Sequence, residues 1–207
     1  MAELPLTRNR TSPEREAAIR EAVRRADQVP SSGASSRLAT IEDAPALFEL
    51  LDHPGVRDWI YSLPRPLTLE GVRAYIETCV SRRERGEVLL SLNFDEEGRV
   101  SGFSEVHIWP EWAAGEVAGA MRPDLQNKGQ GGSGMAAMFT WMFETFDLDL
   151  ISNTTALDNV RIQSLFRKTG CEYKGDIESR RPDGTTRASQ VWEVTREVWF
   201  ERLGRTA

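Results

Sequence analysis

The sequence predicts an α/β (α+β) fold: a mixed, mostly antiparallel central sheet flanked by helices, preceded by an N-terminal helical extension. Three observations lead there. From residue 37 onward, alternating and helical periodicities follow one another in the order β-α-α-β-β-β-α-β-α-β-β. Most strand segments have another strand as sequence neighbour, which favours antiparallel pairing. Of the 207 residues, 40% are hydrophobic and 28% charged, an ordinary globular balance with enough apolar material for one sizeable core.

The elements follow in order. Thr11-Ser12-Pro13-Glu14 is a helix start, with a hydroxyl cap and a proline in the first turn. Ile19, Ala22, Val23 and Ala26 then form a narrow apolar stripe that needs a second surface, either a partner subunit or the chain's own domain. Residues 31–36 read as a flexible linker, so 1–35 are taken as helix and linker and 36–207 as the main domain. Arg37–Ala39 is a short strand. Ala44, Leu47, Phe48 and Leu51 mark one helix; residues 53–67 form a loop rich in proline and aromatics; Val72, Tyr75, Ile76 and Cys79 mark a second helix. Val88–Phe94 and Val100–Trp109 flank an Asp95-Glu96-Glu97-Gly98 turn as a hairpin. A strand over 115–121 follows.

Gln126–Gly134 is glycine-rich and leads into the strongest periodic signal of the chain: Met135, Met138, Phe139, Met142, Phe143 and Phe146, all read as core packing. A strand near 148–154 and a helix over 159–169 come next. The strands 171–180 and 186–194 flank the turn Arg181-Pro182-Asp183-Gly184, and 195–203 read as a closing helix.

The composition excludes several classes. A net charge of −6 argues against a nucleic-acid partner, because phosphate is bound mainly by clustered Lys and Arg. The negative charge lies outside residues 1–35 and favours a cationic partner such as an amine. No apolar run approaches a membrane span, and the start, MAELPLTRNR, has no apolar signal region, so a cytoplasmic protein off the membrane is expected. Cys79 and Cys171, without a C-x-x-C, give neither a zinc site nor a disulfide framework; buried free thiols and no metal are expected.

Chemistry concentrates at Gln126-Asn127-Lys128-Gly129-Gln130-Gly131-Gly132, between a strand and a helix start. Glycines there let backbone N–H groups converge, and the first helical turn adds its own free N–H groups and the positive end of its dipole. That combination suits a pyrophosphate. The loop is neither a Walker loop nor a G-x-G-x-x-G dinucleotide motif.

In its context, Q-x-x-G-x-G after a strand ending near Met121 and before an amphipathic helix resembles the acetyl-CoA motif of the GNAT N-acetyltransferase superfamily. Asn159-Val160-Arg161-Ile162, then Leu165, Lys168 and Gly170, resembles the second motif of that family. Leu38–Ala44 and Thr68-Leu69-Glu70 are similar to its RimJ/RimL-type branch. The resemblance covers about residues 37–195. It departs from the family at Ile162 in place of a serine, at Phe166 where many members place a tyrosine general acid, and at Cys171 in place of a phenylalanine.

The resemblance implies transfer of an acetyl group from acetyl-CoA to a primary amine of a small molecule, by direct attack in a ternary complex. It also implies the cofactor contacts: Ala120, Met121 and Arg122 at the strand end, with an oxyanion donor around Ala120-Met121; Gln126, Asn127, Lys128, Gly129, Gln130, Gly131, Gly132 and Ser133 in the loop; and Asn153, Asn159 and Lys168 beyond it. Arg161 is a further candidate for the nucleotide phosphates. An acceptor amine is mostly protonated near neutral pH, so a base helps. Glu116 stands near the position of a catalytic glutamate in several members, and Glu105 and His107 share one strand face; these three are the catalytic candidates. Trp59, Tyr61, Trp109 and Trp112, with Arg57, Asp58 and Arg65 nearby, are candidates for the acceptor pocket. Two alternatives stay open: acetylation of a protein N-terminus, and a CoA-binding module without catalysis. The terminal hairpin and the N-terminal helix are the surfaces on which a homodimer could form.

Overall fold

The computed structural model describes residues 4–31, 33–57, 60, 63, 65–126, 131–181 and 183–205. The helices are α1 (Pro13–Arg25), α2 (Ala44–Asp52), α3 (Pro54–Arg57), α4 (Leu69–Glu84), α5 (Gly131–Phe146), α6 (Val160–Lys168) and α7 (Arg196–Arg202). The strands are β1 (Ser35–Leu38), β2 (Val88–Phe94), β3 (Val100–Trp109), β4 (Ala114–Met121), β5 (Leu150–Ala156), β6 (Glu172–Arg180) and β7 (Thr186–Thr195). The strands form one sheet in the order β1-β2-β3-β4-β5-β7-β6. Every pairing is antiparallel except β4 with β5.

Strand alternation divides the apolar residues between two layers. Leu89, Val106 and Ile108 pack with Phe139, Met142 and Phe143 of α5 and with Trp192 and Trp199. Val88, Leu90, Leu92 and Phe103 point the other way, against Leu47 and Leu51 of α2 and Val72 and Ile76 of α4. Local chemistry sets the helix ends. Ser12 caps α1 by accepting from the Arg15 N–H at 3.3 Å, and Thr68 caps α4 by accepting from the Gly71 N–H at 3.0 Å. Gly86, at φ +75°, ends the turn after α4; a Cβ there would come within 2.5 Å of the Arg20 carbonyl, so α1 and this turn touch backbone to backbone.

The second surface that the α1 stripe needs is the chain's own domain. Ile19 and Val23 are buried in the α5-side core. Arg15 reaches Asp149 at 2.7 and 2.8 Å and Asp147 at 3.1 Å. The linker reading of 31–36 gives way at Ser35, where β1 begins and pairs with Phe94. The proline-rich loop contains one helical turn, α3. Both cysteines are buried free thiols, and burial pushes Cys79 up to about 12 and Cys171 up to about 11.

Among the described residues, no helix is long and apolar enough to cross a membrane, and no group of three or more His, Cys, Asp or Glu could hold a metal ion.

Candidate active site

The parallel pair β4–β5 is joined only at Ala114↔Leu150 and Gly115↔Ile151. Beyond these the strands part, and side chains span the gap. The Val117 N–H donates to Asn153 Oδ1 at 3.2 Å. Coming from the other strand, Thr154 donates its N–H at 3.1 Å and its hydroxyl at 2.9 Å to Glu116 Oε1. The Arg122 N–H is bonded to Ser101 O of β3 at 2.8 Å. Strand alternation therefore turns the Ala120 N–H toward β3, and those of Gly119 and Met121 toward the gap. Of the expected oxyanion-donor pair, Met121 has the required direction and Ala120 does not.

Glu116 lies opposite His107 on β3, and Glu105 lies diagonally next to it, opposite Ala118. Helix α4 covers this face with Tyr75, Cys79 and Arg82, one helical turn apart. Tyr75 donates its hydroxyl to Glu105 Oε2 at 2.7 Å. Arg82 donates to His107 Nε2 at 2.6 Å. Burial, and next the charge of Arg82, push His107 down to about 3. Its accepting nitrogen is thus spent on Arg82, and the ring is neutral near pH 7. That corrects His107 as a base. Glu116 moves the opposite way. Burial raises it to about 7; the two Thr154 bonds oppose the rise and the charge of Glu105 adds to it.

The structure scatters some of the other candidates. Arg122 is tied to Asp124 at 2.7 Å and Asp95 at 3.0 Å, so its side chain is committed to carboxylates. Gln126 donates to Met121 O at 2.8 Å and closes the end of β4. Gly132 and Ser133 lie in the first turn of α5, which Gly131 opens. Asn159 caps α6 through the Ile162 N–H at 3.3 Å, whereas exposed Lys168 sits at the far end of that helix, about 13 Å away by helix rise. Exposed Arg161 lies in the first turn of α6. Trp109 contacts His107, ring centroids 4.7 Å apart. Trp112 lies beneath Arg8 and Arg10 at the closed end of the β3–β4 hairpin, about 23 Å from Met121 by strand rise. It stands at the opposite end of β4 from Met121. Arg57, the last residue of α3, is bonded to Asp52, and Arg65 in the following loop to the Arg57 carbonyl. Asn127, Lys128, Gly129, Gln130, Asp58, Trp59 and Tyr61 lie outside the described residues. Phe166, standing where many relatives have a tyrosine, is buried against Trp192.

Residues 37–172 match the family model described as the acetyltransferase (GNAT) domain. The chain belongs to the GNAT acetyltransferase family. Its fold is similar to that of the ribosomal-protein-S5-alanine acetyltransferase from Vibrio fischeri, at 16% identity and TM-score 0.65 over 79% of this chain and 93% of that one. It is also similar to RimL, a ribosomal L7/L12 α-N-protein acetyltransferase solved with coenzyme A, at 16% identity and TM-score 0.66 over 81% and 98%. A third structure is AAC(6')-Ib in complex with ribostamycin and coenzyme A, at 20% identity and TM-score 0.67 over 85% and 100%. A search of curated proteins found no match. As a GNAT protein the chain is an acyl-CoA-dependent N-acetyltransferase, and acetyl-CoA is its donor.

The residues fit that donor. Asn153 Nδ2 is buried without an acceptor, directly in the gap. No atom would crowd a Cβ at Gly134 within 4 Å, so the start of α5 is open to an approaching group. Gly119, Met121 and Asn153 would hold the arm of the donor, and the first turn of α5 its phosphates. Thr154 and Arg82 were not singled out in the sequence, and Tyr75 was read there only as part of a helix face. Tyr75 and Arg82 extend the Cys79 helical face, a signal that was present; nothing in the local sequence marks Thr154.

Proposed function

We propose that this enzyme acetylates a primary amine of a small molecule, with Glu116 as general base. One observation carries the reading: the half-buried Glu116 carboxyl, tied to Thr154, lies where β4 and β5 part, and desolvation there raises it to about 7. Acetyl-CoA supplies the acetyl group as a thioester. Glu116 takes a proton from the acceptor ammonium: an N–H bond breaks, an O–H bond forms, and the nitrogen lone pair is freed. The Met121 and Gly119 N–H groups supply donors for developing negative charge.

The N-terminal arm supports a small acceptor over a protein N-terminus. Glu193, buried on β7 and on the same sheet face as Glu116, accepts from the N–H groups of Leu6 at 2.9 Å and Thr7 at 3.2 Å. The arm thereby lies over β7 and narrows the acceptor face. The carboxylates on that face, together with the overall charge, favour a cationic amine. Thiol release from acetyl-CoA against polyamines, amino-sugars, aminoglycosides, amino acids and short peptides tests the reading. Turnover with one small-amine class is expected; turnover with peptides alone would replace it with protein N-terminal acetylation.

A further inference from the structure

The layer between α4 and the sheet holds more ionisable groups than a single base requires. From β3 come Glu105 and His107, and from α4 come Tyr75, Cys79 and Arg82. Thr154 comes from β5, and one strand further lies Glu193 of β7. Arg82 is the cation of this set, and it is already engaged, bonded to His107 and 3.6 Å from Glu87 Oε2. Cys79 is held neutral by burial. Glu105 and Glu116 therefore face one another diagonally across β3 and β4, roughly 7 Å apart by strand geometry, with no cation of the set left for either.

We infer that Glu105, held in place by Tyr75, is a positioning residue that keeps the Glu116 carboxyl basic enough to take a proton from an ammonium acceptor. The inference rests on the reading of Glu116 as the base. The physical argument is direct. A carboxylate in the ordinary acid range is a poor match for an ammonium donor, and one whose proton affinity lies nearer the working pH transfers the proton with less loss. Burial supplies part of that adjustment at Glu116. A fixed negative neighbour supplies another part, because removing a proton from Glu116 creates a second charge beside the first. The Tyr75 hydroxyl, at 2.7 Å, fixes where that neighbour sits. Desolvation pushes the half-buried Tyr75 hydroxyl well above its ordinary range, so its proton stays on and it stays a donor. Glu105 touches neither acceptor nor donor in this role; it acts through Glu116.

The test uses the full chain and two independent readouts. The first is the carboxyl ¹³C titration of Glu116 in the free protein, assigned by its loss in Glu116→Gln. The second is the acid limb of kcat/KM with the best amine found. In Glu105→Gln the amide oxygen still accepts from Tyr75, so the packing is retained while the charge is removed. The Glu116 titration is expected to move down by about one pH unit, and the acid limb with it. Tyr75→Phe is expected to move both in the same direction by less. A Glu116 titration unchanged in Glu105→Gln would overturn the inference while leaving Glu116 as the base. An acid limb that persists in Glu116→Gln would overturn Glu116 as the base, whereas the carboxyl titration would still report on its coupling to Glu105.

Discussion

Glu116 and Thr154 meet across the gap between two parallel strands, with Oε1 of the carboxylate taking both the N–H and the hydroxyl of the threonine, at 3.1 and 2.9 Å. The pair replaces ladder hydrogen bonds that the diverging backbones can no longer make. It also fixes one carboxylate oxygen and leaves the other for chemistry. Glu116→Gln keeps the bonds to Thr154 and loses the proton-accepting carboxylate proposed as the base. Its kcat is expected to fall roughly 10²- to 10³-fold, with acetyl-CoA binding within about threefold of the parent. Steady-state kinetics beside calorimetric titration of CoA separate the two effects.

The same carboxyl makes stability depend on pH. Glutamate ordinarily ionises near 4.5, and Glu116 does so near 7 in the folded chain. Between those values the unfolded chain ionises first. The stability this group contributes is therefore complete below about pH 4.5 and is lost as pH rises through 7. Glu116→Gln is expected to match the parent near pH 4.5 and to melt roughly 3–6 °C higher at pH 8. Equal melting temperatures at both pH values would count against a buried, ionisable Glu116.

Asn153 holds the Val117 N–H with its oxygen and leaves its nitrogen without an acceptor. A bound CoA arm would supply that acceptor. Asn153→Ala is expected to weaken CoA binding roughly 5- to 20-fold, in line with the loss of about one buried hydrogen bond. An unchanged dissociation constant would remove Asn153 from the donor site.

The N-terminal helix is part of the core rather than a tail beside it. Ile19 is fully buried among Leu89, Ile108 and Met142. Ile19→Ala is expected to cost about 2–4 kcal/mol in denaturant unfolding, in a single transition with the rest of the sheet. A separate early transition would instead mark α1 as an independent unit.

Much of the site could be read in advance because it rests on local pattern. The β4 strand, the glycine run and the periodic face of α5 lie within some thirty consecutive residues, about 115–146, and their chemistry depends on chain direction and backbone freedom. Glu116 was named as a candidate from the family resemblance and its place on that strand. Tyr75 and Arg82 lie some thirty to forty residues earlier, and only the packing of α4 on the sheet brings them to Glu105 and His107. The sequence offered Glu116 first as a base, with Glu105 and His107 behind it on the neighbouring strand. The fold separated His107 from Glu116: burial, and next the charge of Arg82, push the proton off the histidine, whereas burial holds the proton on Glu116.

What the sequence determined by itself was the order of most elements and the apolar faces of the helices, since periodicity and caps act within a few residues of themselves. What the tertiary structure alone decided was which charges face one another. The gap between β4 and β5, the seating of α1 in the core, the arm tied to Glu193 and the displacement of Trp112 to the hairpin end all depend on contacts between residues far apart in the chain. Proton affinity follows burial and neighbouring charge, and both are properties of the assembled layers rather than of any segment.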